Sequence, residues 1–119
     1  MKKKFIVKSN REFNEIINSK HSTSNSCFIV YYKKAKEKYS RFGISVGKKI
    51  GKATIRNKYK RKIRAIIDNN KKDYSNNLDY IIIMRKECLN QKHEILEKNL
   101  NILIKNIDRN DLNEKEKNI

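Results

Sequence analysis

RFGISVGKKIGKATIRNKYKRKIRAIIDNNKKDYSNNLDYIIIM, residues Arg41–Met84, reads as a strand, a helix and a second strand. Arg41–Gly47 (RFGISVG) has strand character, and Gly47 and Gly51 bracket a turn after it. Leu78–Met84 (LDYIIIM) is a nearly continuous apolar run, the pattern of a strand covered on both faces. Between them a helix begins near Ala53 and runs to about Asn69, where Asp-Asn-Asn stops it. A strand–helix–strand crossover joins two parallel strands. The expected architecture is α+β, a sheet packed against helices.

The helix is amphipathic in an unusual way. At about 100° per residue, Ile55, Tyr59, Ile63, Ile66 and Ile67 fall on one arc, the face predicted to pack on the sheet. Arg56, Lys60 and Arg64 form an i, i+4, i+8 stripe beside it, Asn57 and Arg61 the next stripe, and Lys58 and Lys62 the far flank. Lys48–Arg64 holds nine Lys/Arg in seventeen residues and no acid. Like charges at i, i+4 destabilise an isolated helix by about 0.2–0.5 kcal/mol per pair, and no Asp or Glu offsets them here. Such a face is organised for phosphates. Arg suits bidentate phosphate contact, and Asn57 adds hydrogen bonds that Lys cannot make. The bland alternative is a solvated basic face in a Lys-rich chain. It accounts for the lysines, but poorly for Arg at 56, 61 and 64.

Outward from this unit, Ser9-Asn10-Arg11-Glu12 reads S-x-x-E, a capping box. Phe13, Ile16 and Ile17 follow at helical spacing, so a first helix is predicted over Asn10–Ser19, behind a basic arm at residues 1–8. His21–Ser26 is polar and loop-like. Cys27–Tyr32 (CFIVYY) reads as a strand on which Cys27, Ile29 and Tyr31 share one face and Phe28, Val30 and Tyr32 the other. Lys33–Tyr39 is predicted to turn a hairpin into Arg41–Gly47. Beyond a linker at Arg85–Asn90, Ile95, Leu96, Leu100, Leu103 and Ile107 mark a third helix, and the charged tail from Asp108 to residue 119 is expected to fray.

The chain has 119 residues and a formal net charge of +17, which points to one domain and a polyanionic partner, nucleic acid ahead of anionic membrane. No apolar run approaches the roughly 20 residues that span a bilayer, and Phe5-Ile6-Val7 is too short an apolar segment for a signal peptide. The expectation is a cytoplasmic protein without membrane contact. Cys27 and Cys88 fit no metal-ligand spacing and are expected as reduced, partly buried thiols.

Several chemistries fail on spacing. Gly47 and Gly51 are one residue too close for a phosphate-binding P-loop, and Ala53 follows Lys52 where Ser or Thr is needed. Gly43-Ile-Ser45-Val-Gly47 matches G-x-S-x-G, yet Ser45 lies within a predicted strand and only His93 lies downstream as a base. His21 and His93 are isolated, and Asp68, Asp73 and Asp79 form no compelling pair. No catalytic constellation and no metal set is predicted.

Gly43-x-Ser45-Val46-x-Lys48-Lys49-x-Gly51-x-Ala53-x-x-Arg56-Asn57-x-x-Lys60-Arg61-x-x-Arg64 resembles the signature of the bacterial ribonuclease P protein subunit family. Asn10-x-x-Phe13, Phe28-x-x-Tyr31 and Asp79-Tyr80-Ile-Ile-Ile extend the resemblance over roughly residues 3–107. Lys58 stands where the family has a third Arg, and Ile17 where it usually has an aromatic. The resemblance implies an α-β-β-β-α-β-α sandwich with a mixed four-stranded sheet and a left-handed crossover, where general rules favour the right-handed one. It implies a holoenzyme in which a large catalytic RNA and this protein remove the 5′ leader of precursor tRNA, with Mg²⁺ held mainly by the RNA and no obligate protein partner. It assigns Lys48, Lys49, Lys52, Arg56, Asn57, Lys58, Lys60, Arg61 and Arg64 to the catalytic RNA, and Phe13, Ile17, Ile29 and Tyr31 to the leader groove. The residues alone read Phe13 and Ile17 as a core-facing stripe. A ribosomal or RNA-chaperone-like structural protein shares the charge and the layout, and is the alternative.

Overall fold

The computed structural model describes residues 1–75 and 77–117, and side chains through residue 110. In chain order it contains α1 (Asn10–Asn18), β1 (Ser22–Ser24), β2 (Phe28–Lys34), β3 (Phe42–Ser45), α2 (Ala53–Asn70), β4 (Leu78–Met84) and α3 (His93–Lys117). The α1 start is capped as its sequence predicts, with the Glu12 N–H donating to Ser9 Oγ at 3.1 Å. The α-β-β-β-α-β-α order and the mixed four-stranded sheet are those expected from the resemblance.

The sheet order is β1-β2-β4-β3. β4 pairs antiparallel with β2, Ile29 opposite Ile83 and Tyr31 opposite Ile81, and parallel with β3, Gly43 opposite Ile81 and Ser45 opposite Ile83. The predicted hairpin across Lys33–Tyr39 is therefore wrong: β2 and β3 are not neighbours, and β4 lies between them. An almost wholly apolar strand is shielded only in the middle of a sheet, so β4 takes that place. The connection after β2 steps over it instead, a lateral shift of roughly 10 Å. Ala35 N–H donates to Asn77 O and Tyr80 N–H to Arg41 O along that path.

Two other local expectations change. His21–Ser26 contains β1, because Ser22, Thr23 and Ser24 pair with Tyr31, Val30 and Ile29; a polar segment can form an edge strand when its partner offers free backbone groups. The tail predicted to fray from Asp108 is helical through Lys117, and residues 118–119 lie outside the described residues. Asp108 accepts from the Ser75 N–H at 2.8 Å and bonds the Tyr80 hydroxyl, which fastens this end of α3 to the core.

Two apolar layers flank the sheet. One face carries Phe28, Val30, Phe42, Leu78, Tyr80, Ile82 and Met84. It is covered by Tyr59, Ile63, Ile66 and Ile67 of α2 and by Leu96, Leu100, Leu103, Ile104 and Ile107 of α3. The other face carries Ile81, Ile83, Ile29 and Tyr31, over which α1 lays Phe13, Ile16 and Ile17 with Val7 beside them. Cys27 departs from its predicted parity and from its predicted thiol state. It precedes β2, where Asn25 Oδ1 accepts from the Cys27 and Phe28 N–H groups. That local turn aims Cys27 into the larger core, where it is disulfide-bonded to Cys88 with 4.8 Å between Cα atoms.

A charged triad ties α1 to the sheet. Asp79 is 2% exposed, and its carboxylate accepts from the Arg41 N–H and from Arg41 Nη2, both at 3.0 Å. Arg41 Nη2 also pairs with Glu12 of α1 at 2.5 Å. The buried carboxylate thus has a partner, which its desolvation requires.

Two predictions follow from this packing. A Cβ on Gly43 would sit 2.5 Å from Ile81 Cδ1 and 2.7 Å from the Phe13 ring. Gly43→Ala should therefore lower unfolding free energy by about 1–3 kcal/mol in a urea titration. The Arg41 hydrogen bond holds the Glu12 carboxyl below its ordinary value of 4.5. Its contribution is complete above that value and is lost as pH falls through the lower folded one. Glu12→Gln should flatten the decline of Tm below about pH 4.5 and leave its slope near pH 7 unchanged.

Candidate nucleic-acid interface

α2 is held by its apolar arc. Burying a side chain such as Ile63 or Ile66 contributes about 1.5–3 kcal/mol, while each like-charge pair on the outer face costs about 0.2–0.5 kcal/mol. Four buried anchors, Tyr59, Ile63, Ile66 and Ile67, therefore outweigh the repulsion, and the basic stripes persist because packing holds them. Tyr59 adds a polar tie, its hydroxyl accepting from the Asn90 N–H at 2.9 Å. Ile55 is not an anchor as predicted. It is 40% exposed, because the first turn overhangs the sheet, and it leans on Gly51 instead. Gly51 has φ +151°, and a Cβ there would lie 3.2 Å from Ile55 Cδ1.

The charges crowd the helix entrance. Lys48 and Lys49 sit exposed in a 3-10 turn, Lys48–Ile50, and Lys52 is the N-cap without a side-chain cap bond. No acid occupies the first turn of α2. Cations at the positive end of a helix dipole are unfavourable unless an anion joins them. Arg56 is half-buried and its Nε is buried without a hydrogen-bond partner among the described residues. Asn57, Lys58, Arg61 and Arg64 are exposed, and Lys60 is half-buried.

Phe13, Ile17, Ile29 and Tyr31 are all half-buried; Phe13, Ile17 and Tyr31 pack with Ile83 against Val7, Ile16 and Ile81, and Ile29 lies opposite Ile83 across the β2–β4 pair. Each buries one side in the smaller core and leaves the other accessible, so the core stripe and the open groove are two sides of the same residues. Gly43 deepens the groove by letting the Phe13 ring rest on the sheet backbone.

The two surfaces meet twice. A cavity of about 630 Å³ runs from Ile29 and Ile83 of the groove to Lys48 and Lys49 of the turn, with Arg85, Lys86 and Glu87 also in its wall; Arg85 Nε pairs with Glu87 at 3.7 Å. A smaller one of about 100 Å³, at the β3 edge, is lined by Phe13 of α1 and Arg64 of α2. Lys52, Arg56, Asn57, Lys58, Lys60 and Arg61 line neither cavity. Sequence reasoning missed Ile83, Arg85 and Lys86. Their one signal is a pair of cations directly after an apolar strand, and the chain segment around them looked like a plain linker. Ser45 lines the larger cavity; there it is a wall residue at the end of β3.

Comparison with known proteins bears on the family and the fold. The ribonuclease P family matches residues 1–108. The ribonuclease P protein component of Mycoplasma capricolum is 50% identical over 108 residues, spanning 90% of this chain and 99% of that one. That of Bacillus cereus is 42% identical over 101 residues, 84% of this chain and 88% of that one. Among solved structures, the Thermotoga maritima RNase P protein superposes with a TM-score of 0.77 at 33% identity, covering 84% of this chain and 96% of that one. A Staphylococcus aureus RNase P protein mutant, described as defective in mRNA degradation activity, gives 0.79 at 35% identity and 87% coverage of each chain. With a family match over nearly the whole described chain and the same fold in its relatives, this chain belongs to the ribonuclease P protein family.

Proposed function

We propose that the chain is the RNA-binding subunit of a ribonuclease P holoenzyme, supporting removal of the 5′ leader from precursor tRNA in the cytoplasm. The observation that carries this reading is the junction of two surfaces. The basic Lys48–Ile50 turn that leads into the acid-free face of α2 and the Ile29–Ile83 end of the apolar groove share one cavity of about 630 Å³. Lys48, Lys49, Lys52, Arg56, Asn57, Lys58, Lys60, Arg61 and Arg64 bind the phosphates of the catalytic RNA. Phe13, Ile17, Ile29 and Tyr31 take the unpaired bases of the leader, and Arg85 and Lys86 neutralise its backbone where it passes toward the helix.

The protein's part is positioning and charge neutralisation. It brings the leader beside the RNA that performs the cleavage, and it lowers the repulsion between two polyanions. Mg²⁺ belongs to the RNA in this reading. Among the described residues no three of His, Cys, Asp and Glu converge to hold a metal. Ile17 gives less stacking than an aromatic would, and Lys58 gives a point charge in place of a bidentate contact.

The test is reconstitution at low Mg²⁺ with ribonuclease P RNA and precursor tRNA. Addition of the protein should stimulate 5′ processing, and no stimulation would favour a structural RNA binder that takes no part in cleavage. The protein alone should leave precursor tRNA intact; cleavage by it would favour a nuclease, the kind of activity the Staphylococcus aureus mutant's description attributes to that relative.

Two further outcomes are expected. With about six phosphates contacted, log Kobs for the RNA should fall with log salt at a slope of about −4 to −5. Arg64→Ala should weaken RNA binding severalfold, whereas Lys36→Ala, which removes a surface pair with Glu15, should leave it unchanged. Tyr31→Ala should weaken binding of a single-stranded leader oligonucleotide by about 1–3 kcal/mol, read by fluorescence anisotropy.

A further inference from the structure

A second aromatic and basic cleft lies at the other end of α2. It has a volume of about 220 Å³ and is lined by Phe5, Tyr39, Phe42, Lys71 and Lys72, with Ser40 and Ser75 in its wall. α2 has 18 residues, so the cleft is separated from the Lys48–Ile50 turn by about 27 Å of helix. Phe42 separates it from the smaller cavity at the β3 edge, and none of the residues assigned above to RNA or leader lines it.

We propose that this cleft is a second site for single-stranded RNA, seating one nucleobase on Phe5 and Tyr39 and its flanking phosphates on Lys71 and Lys72. The two rings meet edge to face at 5.4 Å between centroids, which forms a corner with two different ring faces. The floor is firm, because Phe42 is buried and stacked on Tyr80 at 5.3 Å. The volume is below the roughly 300–1,000 Å³ of a drug-sized ligand site, and suits a single planar ring. Every base has a π-face, so such a corner accepts unpaired RNA without reading its sequence.

Cations already attend the rings. Lys71 Nζ stands 4.3 Å from the Phe5 centroid, and Lys4 Nζ 4.9 Å from Phe5 and 5.1 Å from Tyr39. Cation–π contacts at exposed sites are weak, and a phosphate draws these ammonium groups aside while a base takes the ring. The acids nearby leave the cations available. Asp68 binds the Met1 ammonium at 3.1 Å and Lys71 only at 3.7 Å, and Lys72 makes no ion pair among the described residues. The wall hydroxyl of Ser40 is used internally, donating to Ser75 O, so the ligand is held by rings and charge. An acidic peptide would use the lysines and leave the aromatic corner empty.

The site stands on its own geometry and would survive a failure of the reconstitution above. Its test uses the full chain and a fluorescein-labelled decauridylate carrying 4-thiouridine. Photocrosslinking should place adducts on Phe5 or Tyr39 as well as in the groove. Phe5→Leu, which keeps the apolar bulk, should abolish the Phe5 and Tyr39 adducts and weaken binding roughly fivefold. Lys72→Ala, on an exposed side chain, should reduce the log–log salt slope by about 0.7 at unchanged Tm. Adducts confined to Phe13 and Tyr31, with an unchanged slope for Lys72→Ala, would overturn the proposal. So would binding of phosphatidylglycerol vesicles that requires Lys72 while no RNA adduct forms at Phe5, since the cleft would then serve a lipid headgroup.

Discussion

β4 is hydrogen-bonded along both edges and covered on both faces, and most of the architecture follows from meeting those four demands. Its antiparallel edge takes β2, its parallel edge takes β3, and a parallel neighbour close in sequence requires a crossover. The crossover is α2. One arc of that helix must therefore lie on the sheet, and its opposite side must face outward. The stripes of Arg and Lys are set by helical periodicity, and strand pairing decides that they face outward and that the helix persists despite their repulsion.

The remaining face of β4 determines the groove. Ile81 and Ile83 need cover that α2 and α3 cannot give from the other side, and α1 supplies it. A helix of nine residues cannot cover the whole face. Its partners Ile29, Tyr31 and Ile83 stay half-buried, and an apolar strip results. The Glu12–Arg41–Asp79 triad fixes how far α1 can slide, and Gly43 fixes how close it can come. The smaller core has three buried residues, Val7, Ile16 and Ile81, and the larger core behind the sheet is the main scaffold.

The entrance of α2 places charge where no acid among the described residues of its first turn neutralises it. The first turn of α2 carries cations at the positive end of a helix dipole, and Arg56 keeps a buried Nε unpartnered. Such arrangements lower the stability of the isolated protein and raise its affinity for an anion. The cost is borne by the core: the apolar anchors of α2 and the polar ties of α3, among them Tyr74 to Asn101 and Asn70 to Glu97.

Periodicity and composition by themselves determined the three helices, the existence of the strands read at residues 27–32, 41–47 and 78–84 (28–34, 42–45 and 78–84 in the structure), the basic face of α2 and the capped start of α1. These depend on neighbours within a few residues, which sequence displays directly. The tertiary structure alone decided strand order, the existence of β1, the meeting of Cys27 with Cys88, the exposure of Ile55 and the recruitment of Arg85 and Lys86 to the cavity. Each depends on which distant segment arrives alongside. A hairpin between β2 and β3 was locally reasonable and lost to β4, because an apolar strand from far along the chain shields more surface in the centre than it could at an edge. The helix face was legible as charge; its junction with the groove became visible only when β4 brought Ile83 and Arg85 beside Lys48.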